Sequence, residues 1–213
     1  MAEDRLYDAL PLFLGMSRND LRKAAGMTKF DFQKMQKGNL IVQEGDRCQH
    51  LFFLLTGDID VITEADDHGY RIEEDITAPE IFQPERIFGL NQRFTHTYLA
   101  QNDCSLMRIE KYDVLKLSDE FEIFRINFLN LNRRTLRVPP KSLEERIIRF
   151  FEAHCLRPAG EKTFYIKMNR IAEEVNDSRR DVSKALHQLE DEDLLTLSRE
   201  RIHIPALEKL LKR

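Results

Sequence analysis

Residues 168–195, MNRIAEEVNDSRRDVSKALHQLEDEDLL, constrain the fold more than any other stretch, because their apolar spacing demands two short helices joined by a tight turn. Ile171, Ala172 and Val175 share one side of the first helix, and Asn176-Asp177 interrupts it with residues that tolerate turn conformations. Ser178, followed three residues later by Asp181, is a capping-box-like start in which the Ser hydroxyl accepts an otherwise unsatisfied backbone N–H. In the second helix Val182, Ala185, Leu186 and Leu189 fall on one face. Arg180, Ser183, Lys184 and His187 lie opposite, with Arg179 at the N-terminal flank.

Residues 194–197 and 201–205 read as two short β segments around Ser198-Arg199-Glu200. Two helices, a turn and a β-hairpin tipped with arginine make a winged helix-turn-helix, whose second helix suits the major groove of double-stranded DNA. The candidate DNA-binding residues are Ser178, Arg179, Arg180, Ser183, Lys184, His187 and Arg199. A solvated helix hairpin would explain the helical window alone, but not the β-hairpin after it.

With these residues in place, the chain resembles the Crp/Fnr family of bacterial transcription regulators over nearly its whole length. The most specific part is Ser178-Arg179-x-x-Val182-Ser183-Lys184, similar to the family's S-R-x-x-V-x-R pattern. That match implies base-reading roles for Arg179, Arg180 and Lys184. It also implies a homodimer, with RNA polymerase as a further partner.

The net charge of −4 is unevenly divided. Residues 138–213 hold fifteen Lys/Arg against fourteen Asp/Glu, so the acidity sits in the other half. Affinity for DNA must then come from a local cluster of charge, presented twice by a dimer. Met1-Ala2-Glu3-Asp4-Arg5 does not resemble an export signal and no apolar run is long enough to span a membrane, so the expected location is the cytoplasm. Cys48, Cys104 and Cys155 lack C-x-x-C spacing, which points to neither a disulfide framework nor a zinc site, and an iron–sulfur cluster would require four cysteines.

The N-terminal half is a succession of short apolar segments after a helix capped by Ser17: 40–42, 51–55, 59–63, 97–100 and 106–109. Glu44-Gly45-Asp46, Thr56-Gly57-Asp58 and Asp66-Asp67-His68-Gly69 are turns among them, which together describe a double-sheet β-roll. The pattern Gly38-x-x-Ile41-x-x-Glu44-Gly45-Asp46, then Leu51 to Leu55 and Gly57, resembles the cyclic-nucleotide-binding roll of Crp/Fnr sensors. In nucleotide-binding members a Gly-Glu pair holds the ribose and an Arg pairs with the cyclic phosphate. Here Gln83-Pro84 and Phe94 occupy those places. Desolvating a phosphate without a cation costs several kcal/mol, so cyclic AMP is not the expected effector. Arg86, Arg93, Thr95, His96 and Thr97 are the candidate effector-pocket residues, and no cofactor is assigned. His96 leaves open a haem- or redox-sensing regulator, and a true cyclic-nucleotide-binding regulator is the other alternative.

Val114, Leu117, Phe121, Phe124, Phe128 and Leu131 recur at heptad spacing between the halves. They are read as a dimerisation helix, with Phe121, Phe124, Phe128 and Leu131 at the interface. Val138-Pro139-Pro140 ends that helix, and Ser142 with Glu145 starts the next.

The fold class expected is α+β. It consists of an N-terminal double-stranded β-helix, jelly-roll-like sensor domain (1–113), a long dimerisation helix (114–138) and a C-terminal winged helix-turn-helix (139–213). No nucleophile–base pair, phosphate-cradling glycine loop or metal motif is present to suggest an enzyme. The reading is an effector-responsive, sequence-specific transcription regulator.

Overall fold

A computed structural model describes residues 10–65, 69–131 and 140–212. The acidic N-terminus, the turn residues Asp66-Asp67-His68 and the Val138-Pro139 stop lie outside these. The chain divides into two compact units, one drawn from 1–59 and 76–135, the other from 60–75 and 136–213.

In the first unit, α1 (Arg18–Met27) starts at Ser17, whose hydroxyl accepts the Asp20 N–H at 3.1 Å. Then follow β1 (Asp31–Met35), β2 (Leu40–Val42) and β3 (His50–Thr56). After the excursion of 60–75 come β6 (Glu80–Phe82), a 3₁₀ turn (Pro84–Arg86), β7 (Thr97–Ala100) and β8 (Cys104–Glu110). One antiparallel sheet runs β1-β8-β3-β6, with Phe53 opposite Met107 and Phe52 opposite Phe82. β2 pairs with β7. Leu51 to Leu54 are all buried, as expected of a central strand covered on both faces. Gly57 turns the chain at φ +92°, where an added Cβ would lie 2.6 Å from Cys104 Cβ, so no other residue fits there.

The predicted continuous helix from 114 onward is two helices, α2 (Lys111–Glu120) and α3 (Glu122–Leu131). Phe121 breaks them in extended conformation, φ −120° and ψ 108°. Val114, Leu117, Phe121 and Phe124 of the heptad stripe are buried within the unit itself, and Phe128 is half-buried. Phe124 is fully buried with its ring 5.4 Å from Phe13, Phe121 is buried, and Phe128 packs edge-on to Phe88 at 5.8 Å. Phe121 and Phe124 are therefore unavailable for a dimer seam, because the unit's own core consumes them. Of the four predicted interface residues only Leu131 is exposed, and the apolar side chains that α3 leaves outward are Ile123, Ile126, Leu129 and Leu131.

The second unit contains β4 (Asp58–Glu64) from Asp60 on and β5 (Tyr70–Thr77) as far as Asp75, residues that fall within the 1–113 assigned to the sensor domain from sequence. Its remaining elements are α4 (Leu143–His154), β9 (Lys162–Ile166), α5 (Met168–Glu174), α6 (Arg179–Asp191), β10 (Thr196–Ser198), β11 (Arg201–Ile204) and α7 (Leu207–Leu210). β10, β11, β9 and β5 pair antiparallel in that order. Leu197, Ile202, Phe164 and Ile72 stand opposite one another across all four strands and face a single core shared with Phe151 and Leu186. On the other face Ser198, Arg201, Tyr165 and Arg71 form an exposed row. Period-two alternation is thus kept across these four strands.

Candidate nucleic-acid interface

The recognition helix is built as its residue types dictate. Ser178 caps α6, its Oγ accepting the Asp181 N–H at 3.1 Å and donating to the Asp181 carboxylate at 2.6 Å. The turn before it passes through Asn176 at φ +51°, a left-handed conformation that Asn tolerates better than most residues. Val182, Ala185, Leu186 and Leu189 are buried. Arg179, Arg180, Lys184 and His187 are exposed and Ser183 is half-buried, so all five stay on the free side.

Two contacts not foreseen from sequence hold this helix in place. Arg146 of α4 donates through Nε to the Val175 carbonyl at 3.0 Å and through its guanidinium to the Asp177 carboxylate, clamping the turn at the end of α5. Glu190 accepts the Leu197 N–H at 2.7 Å and lies 3.1 Å from His187 Nδ1. The Leu197 N–H, helped by the imidazole, holds the Glu190 carboxyl below the usual carboxylate range. Glu190 thereby fastens α6 to the first wing strand, and His187 is engaged in that link as well as facing outward.

The wing turns at Glu200, φ +57°, with Arg199 exposed beside it. The Ile166 N–H donates to the Glu200 carbonyl at 2.9 Å, which brings exposed Lys167 up to the wing tip. Lys167 and Arg201 are cations the sequence reading missed, since neither lies on α6. Their signal was the strand pairing, which local periodicity does not carry.

In the roll, Gln83 is 2 % exposed and sits at φ +35°. Its carboxamide accepts the Thr95 N–H at 3.0 Å and donates to Thr95 Oγ1 at 2.6 Å. Phe94 is buried against Phe52 and Tyr98, and Phe82 stacks on Tyr98 with ring centroids 4.4 Å apart. Around the predicted effector residues the interior is thus aromatic. Thr97 Oγ1 accepts the Glu44 N–H at 3.1 Å. Arg93 lies on the surface, donating to the Gly45 carbonyl at 2.5 Å. Arg86 is partly exposed, its Nε 3.6 Å from the Glu85 carboxylate. His96 is half-buried, and desolvation followed by the nearby charge of Arg86 pushes its pKa down to about 4, leaving the imidazole neutral. A separate cleft of about 450 Å³ is lined by Gln49, His50, Glu110, Lys111, Tyr112 and Leu115, none of them among the predicted pocket residues.

Cys48 and Cys104 are buried and Cys155 is half-buried, all as free thiols. Among the described residues no group of three or more His, Cys, Asp or Glu side chains is arranged to hold a metal ion. Among the same residues no helix is long and apolar enough to cross a membrane.

A β-roll and a winged helix-turn-helix with a free basic helix face define a DNA-binding transcription regulator rather than an enzyme. Residues 32–121 match the family model of the cyclic nucleotide-binding domain, and residues 145–213 match that of the Crp-like helix-turn-helix domain. The chain belongs to the Crp/Fnr family of transcription regulators. The roll shares its fold with the sensor domain of the transcriptional regulator DNR from Pseudomonas aeruginosa, 15 % identical, covering 64 % of this chain and 97 % of that one at a TM-score of 0.51. The Thermus thermophilus catabolite activator protein is 19 % identical over 95 % of this chain and 96 % of its own, at a TM-score of 0.49. A second structure of DNR from Pseudomonas aeruginosa is 17 % identical over 99 % of this chain and 96 % of that one, at a TM-score of 0.48. No curated protein matches the chain in sequence.

Proposed function

We propose that the protein reads its operator as a homodimer, each α6 entering a major groove, and that its roll answers to an effector other than a cyclic nucleotide. Arg179, Arg180 and Lys184 are the base-reading candidates. Ser178, Ser183, His187 and Arg199 act at the flanks, and Lys167 and Arg201 join them as phosphate contacts. The observation that carries the DNA reading is the division of α6 into a fully buried apolar face and an exposed face bearing Arg179, Arg180 and Lys184. Two copies of that face must meet half-sites about 34 Å apart, so a change in their separation is enough to switch binding.

The exposed side of α3, with Ile123, Ile126, Leu129 and Leu131, is the dimer surface in this reading. The reading against cyclic nucleotides is supported by Pro84 and Phe94, an imino-acid ring and a buried phenyl ring at the places where the ribose-holding Glu and the phosphate-pairing Arg stand in nucleotide-binding members. RNA polymerase as a partner and the cytoplasm as the location belong to the same proposal, supported by the family relationship.

Selection of bound sequences from a random duplex pool, with sedimentation of the protein–DNA complex, tests the proposal. The expected result is a two-fold symmetric site bound by two protomers. Enrichment of no sequence, or binding by one protomer to an asymmetric site, overturns it.

A further inference from the structure

Residues 70–74 come from the half of the sequence that builds the roll, yet Ile72 and Glu74 are buried in the DNA-reading unit and Tyr70 is half-buried against it. The Tyr70 ring lies 5.9 Å from Phe150 and 5.1 Å from His154, with the Arg170 guanidinium 5.9 Å from its centroid. Ile72, fully buried, ends the core-facing row that begins at half-buried Leu197. Glu74 has no exposed surface, and neither has Lys162, whose ammonium lies 2.9 Å from the Glu74 carboxylate. The same carboxylate accepts the backbone N–H groups of Leu156 at 2.6 Å and Arg157 at 3.3 Å. One side chain of β5 thus gathers the chain on both sides of the 157–161 loop.

A fully buried ion pair is stable only when both charges are in place, because either one left alone in the interior has lost its hydration for nothing. Attachment of β5 to β9 is therefore all-or-none. The attachment also reaches α6 by an unbroken route within the unit, since β5 pairs with β9, β9 with β11, β11 with β10, and Glu190 of α6 holds the Leu197 N–H of β10.

We propose that residues 70–74 are the element that couples the sensor half to the recognition helix, with Glu74 and Lys162 as its two-state catch. The chain enters the DNA-reading unit at Asp60 and leaves it after Asp75, so a backbone change transmitted through either crossing acts directly on this strand. Release of the catch would strip β9 of a strand partner, remove Ile72 from the core and free the ends of the 157–161 loop. The inference rests on α6 being the operator-reading helix only for its second readout.

The experiment uses the full chain and three variants: Glu74→Leu, Lys162→Met, and the two combined. Amide hydrogen exchange and operator affinity are measured on each. In each single variant the amides of residues 70–75, 156–157 and 162–166 should exchange at least about ten-fold faster. β3 and β8 should be unchanged, and operator affinity should shift by a similar factor. The double variant, which buries no charge, should recover both protection and affinity. Wild-type protection in the single variants, equal loss across β3 and β8, or failure of the double variant to recover overturns the catch. Lost protection with operator affinity unchanged overturns the coupling, while absence of operator binding by the unaltered protein overturns the operator reading alone.

Discussion

Arg146 on α4 and Asp177 in the turn before α6 form an ion pair that sets the angle at which the recognition helix leaves α5, since the same guanidinium also takes the Val175 carbonyl at the end of α5. Arg146→Ala removes a charge-assisted contact and a helix-end contact together. The expected cost is about 1.5–3 kcal/mol of stability in the DNA-reading unit. A thermal melt of the variant checks it, and Arg146→Lys should recover only part, because an ammonium cannot span both acceptors as a guanidinium does.

Arg180 is exposed on the free face, with Lys184 one turn on. Arg180→Ala should cost roughly 1–3 kcal/mol of operator affinity and relax the preference at one base pair of each half-site. Titrating operator variants at two salt concentrations distinguishes this from a phosphate contact. An unchanged base preference with a shallower salt dependence would assign Arg180 to the backbone and leave Arg179 and Lys184 to read bases.

Substitutions along α3 should divide into two kinds. Ile126→Glu and Leu129→Glu, at positions 46 % and 61 % exposed, are expected to yield folded monomers that bind the operator weakly. Phe124→Glu should instead unfold the sensor unit, because its carboxylate would be buried against Phe13 at a cost of several kcal/mol. Sedimentation and circular dichroism separate the outcomes. Monomers from Phe124→Glu with an intact roll would show that the ring faces a partner.

Cyclic AMP and cyclic GMP should give no heat in a calorimetric titration at micromolar protein. Each charge-assisted hydrogen bond absent at the Pro84 and Phe94 positions is worth roughly 1.5–3 kcal/mol. Micromolar binding would point to Arg86 as a substitute cation.

His96 supplies a pH signature. Its folded pKa of about 4 lies below the ordinary imidazole value, so between about pH 6.5 and 4 the unfolded chain binds a proton that the folded one refuses. Stability from this site is present above pH 6.5, falls as the pH drops through the window and levels off below 4. His96→Asn should flatten that part of the stability profile, measured by denaturant titration at half-unit intervals. An unchanged slope would place the imidazole in water. His50, also lowered by burial and by Arg108, adds to the slope in the same sense.

The recognition helix was legible in the sequence because everything that specifies it is local: the spacing of Val182, Ala185, Leu186 and Leu189, the Ser178 cap and the Asn176 turn. The strands at 40–42, 51–55, 59–63, 97–100 and 106–109 were legible for the same reason. β5 was not. Its stretch YRIEEDIT carries two glutamates and an aspartate in a row, and the burial of Glu74 depends on Lys162, far away in the chain. β9, beginning with that buried lysine, was hidden in the same way. The Phe121, Phe124 and Phe128 stripe was found, but spacing reports which side chains share a face and is silent on what covers them. Here the cover of Phe124 is Phe13, and of Phe128, Phe88.

Ile72 meets Phe164 across about ninety intervening residues, and contacts of such long sequence separation are the slow ones to close. The hairpin leaves the ribosome well before its partner strand exists, so it must wait, unpaired on that side, for the rest of the chain. Acquisition of the DNA-reading shape is consequently tied to the tempo at which the N-terminal half folds. A lesion in the roll that only delays folding would silence the operator as surely as one in α6, and would do so in a chain whose arginines are all intact.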